Sequence, residues 1–348
     1  MSFKSDIPAP APPTACNHTV APDGDVVLSL KNPNAPFAVW NDRHPRWQRL
    51  FLWEKKPEPK VSEPAIPPVT FLVSSHHLKS ASPVFNATLT GPWEESVPAA
   101  DGRRHITTED WDPEALLIFL NVIHCRNNQV PQNLMPEMLC KVSVLVDYYR
   151  AHEAVRFHGM VWIDQVDHLV PWRYGRDLIF WLCISWVFKK ARIFEQVTKI
   201  AISGSPESVS ALDLPIPAPV IRRINSKREL IFASLEAHLI QLTSNLVAGE
   251  KGCCFECQSI MLGALMKHLA TKGAHVGVNG CYFPNMDIDQ AIKAIEDNEN
   301  LELKWKNIMH GGWHNCGFSL KEAMVDIAKR VSGDIESLEL KEFIVNWG

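Results

Sequence analysis

Hydrophobic positions recur along most of the chain with the period of an α-helix, and only three short stretches have the pattern of a strand. Residues 25–30 and 69–73 are rich in valine and leucine, and residues 105–107 form a shorter stretch of the same kind. Apolar side chains spaced three and four residues apart predict helices along much of the remaining chain. The pattern therefore predicts an α+β fold that is mostly α.

The predicted helices fall into two groups. The first group comprises residues 75–89, with a break at Pro83, and residues 113–126, 134–149 and 154–165. The second comprises residues 177–202, 221–247, 255–270 and 320–331. The most apolar run, residues 178–188, is shorter than the roughly 20 residues that cross a bilayer, so we expect a buried helix and no membrane association.

Two stretches interrupt this pattern and suggest the domain organisation. Residues 1–21 contain several prolines and no apolar core, so we expect a disordered segment and not a signal peptide. Residues 31–68 are rich in proline and charge, which is typical of an insertion. We expect a mixed α/β domain at residues 22–170 that contains this insertion, and a helical C-terminal domain at residues 171–348.

Net charge bears on the class of partner, and cysteine content bears on the cellular compartment. The 348 residues carry a net charge of -4, so no global positive field draws the chain to nucleic acid, and we expect no nucleic-acid partner. Nine cysteines scattered among helical patterns are typical of a reduced protein of the cytoplasm or nucleus. Neither a phosphate-binding loop nor a glycine-rich dinucleotide turn occurs, so nucleotide-dependent enzymology has no support.

Several strings in the first half resemble the BTB/POZ family. They are residues 24–28 (GDVVL), 71–85 (FLVSSHHLKSASPVF), 112–116 (DPEAL) with His124, 130–131 and 146–149. Their order is similar to that of the divergent BTB proteins abundant in filamentous fungi, over residues 22–170. Residues 177–188 and 214–217 resemble the helical continuation of those proteins.

This resemblance implies a small sheet flanked by helices, followed by an all-α helical extension. It also implies a protein-protein interaction scaffold or adaptor that is not an enzyme and has no catalytic residues. Its partners would be other proteins of unknown identity, and a homodimer is an arrangement that parts of the family adopt. Fold and function remain separate inferences, because one fold hosts many functions.

Cysteine and histidine residues in the last third suggest a metal site. Cys254 and Cys257 form a Cys-x-x-Cys pair at a helix start, and His314 and Cys316 form a His-x-Cys pair. Three thiolates and one imidazole would give one structural zinc ion a closed tetrahedron. An uncoordinated group of buried cysteines is the alternative, since the two pairs are far apart in the sequence. With zinc, a zinc-stabilised nuclear regulatory module is the alternative function.

A cysteine hydrolase is the second alternative, with Cys257 as nucleophile and His314 as base. No flanking sequence supplies an oxyanion hole, so we do not expect this activity. We expect the remaining residues of chemical interest to fill the core or to lie at the surface. Core residues are His124, Cys125, Cys140, Trp162, Trp172, Trp181 and Trp186; surface residues are His76 and His77.

Overall fold

The computed structural model describes residues 16–40, 67–277, 280–297, 301–303 and 316–344, with the backbone alone for residues 275–277 and 280–282. The chain divides into two compact units. The first unit contains Met1–Val170, Ile179–Ile193 and Leu212–Pro215, and the second contains Pro171–Leu178, Phe194–Ala211 and Ile216–Gly348. The protein is mostly helical with a small four-stranded sheet, so the predicted class of α+β, mostly α, is confirmed.

The sheet of the first unit has the order β1-β3-β2-β4. Its strands are β1 (His18–Thr19), β2 (Val26–Lys31), β3 (Val69–Val73) and β4 (Arg104–Glu109). Strand β2 pairs antiparallel with β3, where Leu28 lies opposite Phe71, and parallel with β4, where Leu28 lies opposite Ile106. Leu28 and Phe71 are fully buried, and the three predicted strands are confirmed. This sheet supports the helices of the first unit.

Strand β1 differs from the expectation of a disordered segment up to residue 21. The amide of Thr70 donates to the side-chain oxygen of Asn17 at 2.8 Å, and the amide of Asn17 donates to Thr70 Oγ1 at 3.0 Å. The carbonyl oxygen of Val20 accepts a hydrogen bond from the guanidinium of Arg126. Two residues are too few to produce a hydrophobic period, so side-chain hydrogen bonds fix this strand where sequence pattern gives no signal.

The helices of the first unit are α1 (Ser75–Ala81), α2 (Pro83–Thr90), α3 (Pro113–Ile123), α4 (Pro136–Tyr148), α5 (His152–Val166) and most of α6 (Arg176–Val187). Side-chain caps start α2 and α3. The Asp112 carboxylate accepts from the amides of Glu114 and Ala115, and the Ser82 hydroxyl accepts from the amide of Phe85. Pro83 starts α2, as the predicted break required.

Helix α6 contains the apolar run that we predicted to be a buried helix. All its residues from Leu178 to Val187 are buried, including Trp181 and Phe180, so this prediction is confirmed. The predicted single helical block 177–202 is two helices, because the chain turns at Lys189, whose φ is +55°. Helix α7 (Ala191–Gly204) follows that turn.

The second unit is built on four further helices. They are α8 (Ala218–Val247), α9 (Phe255–Thr271), α10 (Ile288–Glu296) and α11 (Leu320–Gly333), and the hairpin β5 (His275–Gly277) and β6 (Gly280–Tyr282) follows α9. Ile231, Leu235 and Leu239 belong to the buried stripe of α8. By length and composition α8 is the one described helix that could cross a membrane, a criterion that a buried core helix also meets.

Two expectations about single side chains were wrong. Trp172 is 74% exposed and lies under the guanidinium of Arg173, at 3.9 Å, whereas the other three tryptophans named above are buried. Cys125 is exposed because the chain leaves α3 there with a φ of +57°. His77 is only half-exposed and stacks on His124 with ring centroids 5.0 Å apart. Apolar periodicity does not predict a turn like the one at Cys125, since the turn depends on local backbone conformation.

Candidate functional site

The loop between α8 and α9 and the first turn of α9 carry the first two thiols of a cysteine cluster. Gly249 and Gly252 adopt φ values of +81° and +90°, which side chains rarely permit. A Cβ atom at Gly252 would also lie 2.9 Å from Cγ of Gln258. This tight turn positions Cys253 just before α9, close to Cys257 in the first turn of that helix.

The third thiol belongs to the segment before α11. The Ser319 hydroxyl caps α11 by accepting from the amide of Glu322 at 3.2 Å, and the amide of Phe318 donates to Cys316 Sγ at 3.5 Å. Lys251 Nζ lies 5.6 Å from the centroid of the Phe318 ring. This cation-π contact holds the segment against the loop that carries Cys253.

The sulfur atoms of Cys253, Cys257 and Cys316 lie within 4.8 Å of one another. Cys257 is fully buried and its sulfur lies 4.0 Å from Met261 Sδ, whereas Cys253 is exposed and Cys316 is half-buried. The cluster thus has a buried side and a side that faces solvent. Three thiols of this kind could hold a metal ion.

The three thiols differ in how readily each loses its proton. Desolvation raises the pKa of Cys253, as do hydrogen bonds with Cys254 and Cys257, and burial raises the pKa of Cys257. Desolvation also acts on Cys316, but the Phe318 amide and the thiols of Cys257 and Cys253 outweigh it and lower its pKa. Cys316 is therefore the favoured thiolate, and the other two thiols are its hydrogen-bond donors.

The structure brings together two of the four residues that we expected to bind zinc, Cys257 and Cys316. Cys253 joins them instead of Cys254, whose sulfur lies 4.0 Å from that of Cys253. Cys253 and Cys254 both precede the first residue of α9, so helical spacing does not decide which of them joins Cys257. His314 lies outside the described residues.

The cluster fits a thiophilic ion with little rearrangement. Zinc-sulfur bonds of about 2.3 Å in a tetrahedron place the sulfurs roughly 3.8 Å apart, so the widest separation needs to shrink by about 1 Å.

The burial and raised pKa of Cys257 weigh against the hydrolase alternative, because a nucleophile needs an accessible thiolate.

A second feature of interest is a cavity of about 250 Å³ beside α5 in the first unit. Its lining combines apolar and amide side chains: Asn127, Val130, Pro131, Gln132, Phe157, His158, Val161, Trp162 and Gln165. The indole Nε1 of Trp162 donates to the carbonyl oxygen of Pro131 at 2.8 Å, which fixes one wall. Phe157 is 72% exposed and Met160 follows it on the same helix, also exposed. We call the lining residues of this cavity, together with Met160, the α5 groove.

His158 adds an unsatisfied polar atom to the α5 groove. Its Nδ1 is buried and has no hydrogen-bond partner among the residues that the structure describes. Desolvation lowers the pKa of His158, so the ring is neutral at neutral pH and can accept a hydrogen bond. His158 therefore contributes a buried ring nitrogen without a hydrogen bond, in a residue that also lines the groove.

No protein-family model matches the chain, and a search of curated proteins finds no match.

Proposed function

We propose that the protein is a non-enzymatic protein-interaction adaptor of the BTB/POZ type, acting inside the cell. The proposal is supported by the element order β2, β3, α1, α2, β4, α3, α4 and α5, which is the order that the resemblance implies. Most of the residues that carry the resemblance lie in these elements, including Phe71 and Phe85, which are buried. The first unit then binds a partner protein, and the helices of the second unit provide a further surface.

The α5 groove is the observation that supports partner binding most directly. A phenylalanine that is 72% exposed, next to an exposed methionine and a cavity walled by a tryptophan, is costly to leave in water. Aromatic residues and methionine are enriched at the centres of protein interfaces. Phe157 is thus the proposed anchor.

Photo-crosslinking tests this proposal. We would replace Phe157 with the similarly shaped benzoylphenylalanine, irradiate an extract of cells that express the protein, and identify the crosslinked protein by mass spectrometry. The same substitution at Val97, an exposed apolar residue that does not line the groove, is the matched control. One protein crosslinked from position 157 and not from position 97 is expected. Equal labelling from both positions, or none, would count against the groove.

A zinc-stabilised regulatory module is the second candidate function, because the cluster of Cys253, Cys257 and Cys316 favours it. Zinc held there would link the loop before α9 to the segment before α11. Structural zinc contributes free energy of folding directly, since the ligands are gathered only in the folded chain. His314 remains our sequence prediction for a fourth ligand.

Metal content distinguishes this candidate. Protein purified in reducing buffer without chelator should contain about one zinc ion per chain. The Cys316→Ser variant should lose the zinc and melt at a lower temperature. The control variant Cys125→Ser, which removes an exposed thiol elsewhere, should retain the zinc and the wild-type melting temperature. Zinc-free wild-type protein with the same stability as Cys316→Ser would eliminate the zinc candidate and leave the adaptor proposal untouched.

A further inference from the structure

The cysteine cluster contains two thiols that solvent can reach and one that it cannot. Cys253 is exposed and Cys316 is half-buried, whereas Cys257 is fully buried against Met261. An oxidant in solution therefore meets Cys253 or Cys316 first. Susceptibility of thiols to oxidation depends on such access and on a second thiol nearby that can complete a disulfide.

We propose that Cys253 and Cys316 are a peroxide-sensitive pair that forms a disulfide. Hydrogen peroxide oxidises the half-buried Cys316 sulfur to a sulfenic acid and one water is released. The exposed Cys253 thiol then attacks that sulfur, the S–S bond forms, and the sulfenic oxygen leaves as a second water. Two thiols lose two electrons in total, and one peroxide is reduced to two waters.

The geometry favours this pair over its neighbours. The sulfurs of Cys253 and Cys316 start within 4.8 Å and both residues lie in loops, so a shift of roughly 3 Å to bonding distance bends no helix. Cys254 also lies close, with its sulfur 4.0 Å from that of Cys253. Adjacent residues, however, have Cα atoms only about 3.8 Å apart, below the usual range for a disulfide.

The contacts around the two loops keep the pair together when no metal is bound. Phe318, two residues after Cys316, lies under the ammonium group of Lys251, two residues before Cys253. The amide of Phe318 also donates to Cys316 Sγ. Disulfide formation consumes two of the three thiols, so it would expel any metal held by the cluster. The disulfide itself does not depend on the zinc candidate, because it needs the thiols alone.

The test uses the full-length wild-type protein, so it does not depend on a variant that folds. Protein freed of metal with a chelator, and a second sample loaded with zinc, are treated with excess hydrogen peroxide, quenched with iodoacetamide and digested without reduction. The expected product in both samples is a peptide pair joined through Cys253 and Cys316, which reductant separates. The exposed Cys125 thiol is the internal control and should not be joined to either residue.

The outcomes separate the two proposals. A Cys253–Cys316 link in metal-free protein supports the redox pair even if the zinc measurement fails. Zinc-loaded protein should form the same link more slowly and release its zinc as the link forms. Cys316 oxidised to sulfinic acid with no link, or a link through Cys254 or Cys257 instead, would overturn the proposal.

Discussion

The hydroxyl of Ser82 donates a 2.6 Å hydrogen bond to the carbonyl oxygen of Tyr149, 67 residues away in the sequence. The Ser82 hydroxyl oxygen also accepts a hydrogen bond from the amide of Phe85 and so caps α2. The Phe85 ring stacks on the Tyr149 ring with centroids 4.2 Å apart. One side chain therefore starts a helix and ties it to the end of α4 in the core of the first unit.

Replacing Ser82 with alanine should lower the free energy of unfolding by about 1–3 kcal/mol, because a buried carbonyl loses its donor and a helix loses its cap. Ser96→Ala is the matched control: its hydroxyl makes a similar hydrogen bond to the Trp93 carbonyl, but at an exposed position. That variant should change stability by less than about 0.5 kcal/mol. Urea denaturation measures both, and equal effects would contradict the account of Ser82.

Two glycines in helix interiors should respond in opposite ways to alanine. A Cβ atom at Gly159 in α5 would lie 2.1 Å from the Phe188 ring, whereas a Cβ atom at Gly263 in α9 meets nothing within 4 Å. Gly159→Ala should destabilise by about 1–3 kcal/mol through overpacking, and Gly263→Ala should stabilise by up to about 1 kcal/mol through helix propensity.

The cause of the Gly159 effect can be isolated. In a Phe188→Ala background the ring is gone, so Gly159→Ala should cost much less than it does in the wild-type protein. Thermal unfolding of the wild type, the two single variants and the double variant gives the coupling energy between positions 159 and 188. An unchanged cost in the Phe188→Ala background would show that the ring is not what excludes a side chain at residue 159.

His124 should make the first unit sensitive to mild acid. Its Nε2 accepts from the amide of Ser74 at 3.0 Å and its Nδ1 donates to the carbonyl of Leu120 at 2.8 Å, an arrangement that requires the neutral ring. Desolvation lowers the pKa of His124 to about 4, below its ordinary value of 6.5. The unfolded chain therefore takes up this proton at a higher pH than the folded chain does.

The sign and the pH range follow from that difference. The contribution of His124 to stability is complete above about pH 6.5 and is lost as the pH falls towards 4, by about 2 kcal/mol between pH 7 and pH 5. His124→Gln should flatten the pH dependence of the melting temperature over that interval. The same slope in wild type and His124→Gln would refute the assignment.

Much of the architecture could be predicted from the sequence because it depends on short-range pattern. The valine and leucine content of β2 and β3 and the apolar stripe of α8 predicted those elements close to their observed bounds. Asp112 and Pro113 marked the start of α3 because a cap and a first-turn proline act locally. Helix α10 was missed although Asp287 and Gln290 form a capping box, since the helix has only 9 residues.

The candidate sites could be predicted only in part. That Cys257 and Cys316 lie together was expected from their chemistry, but helical spacing does not decide which of Cys253 and Cys254 joins them, because both precede α9. The α5 groove gave no signal, because Phe157 has the apolar character of a core residue and its exposure is set by packing.

The affinity of the crosslinked partner for defined variants tests the adaptor proposal most directly. With both proteins purified, titration calorimetry would give the Kd for wild type, Phe157→Ala and the control Val97→Ala. Removal of an interface anchor typically costs more than about 1.4 kcal/mol, which is tenfold in affinity. We expect Phe157→Ala to bind at least about ten times more weakly and Val97→Ala to bind like wild type. Equal affinity of all three proteins would contradict the claim that the α5 groove holds the partner.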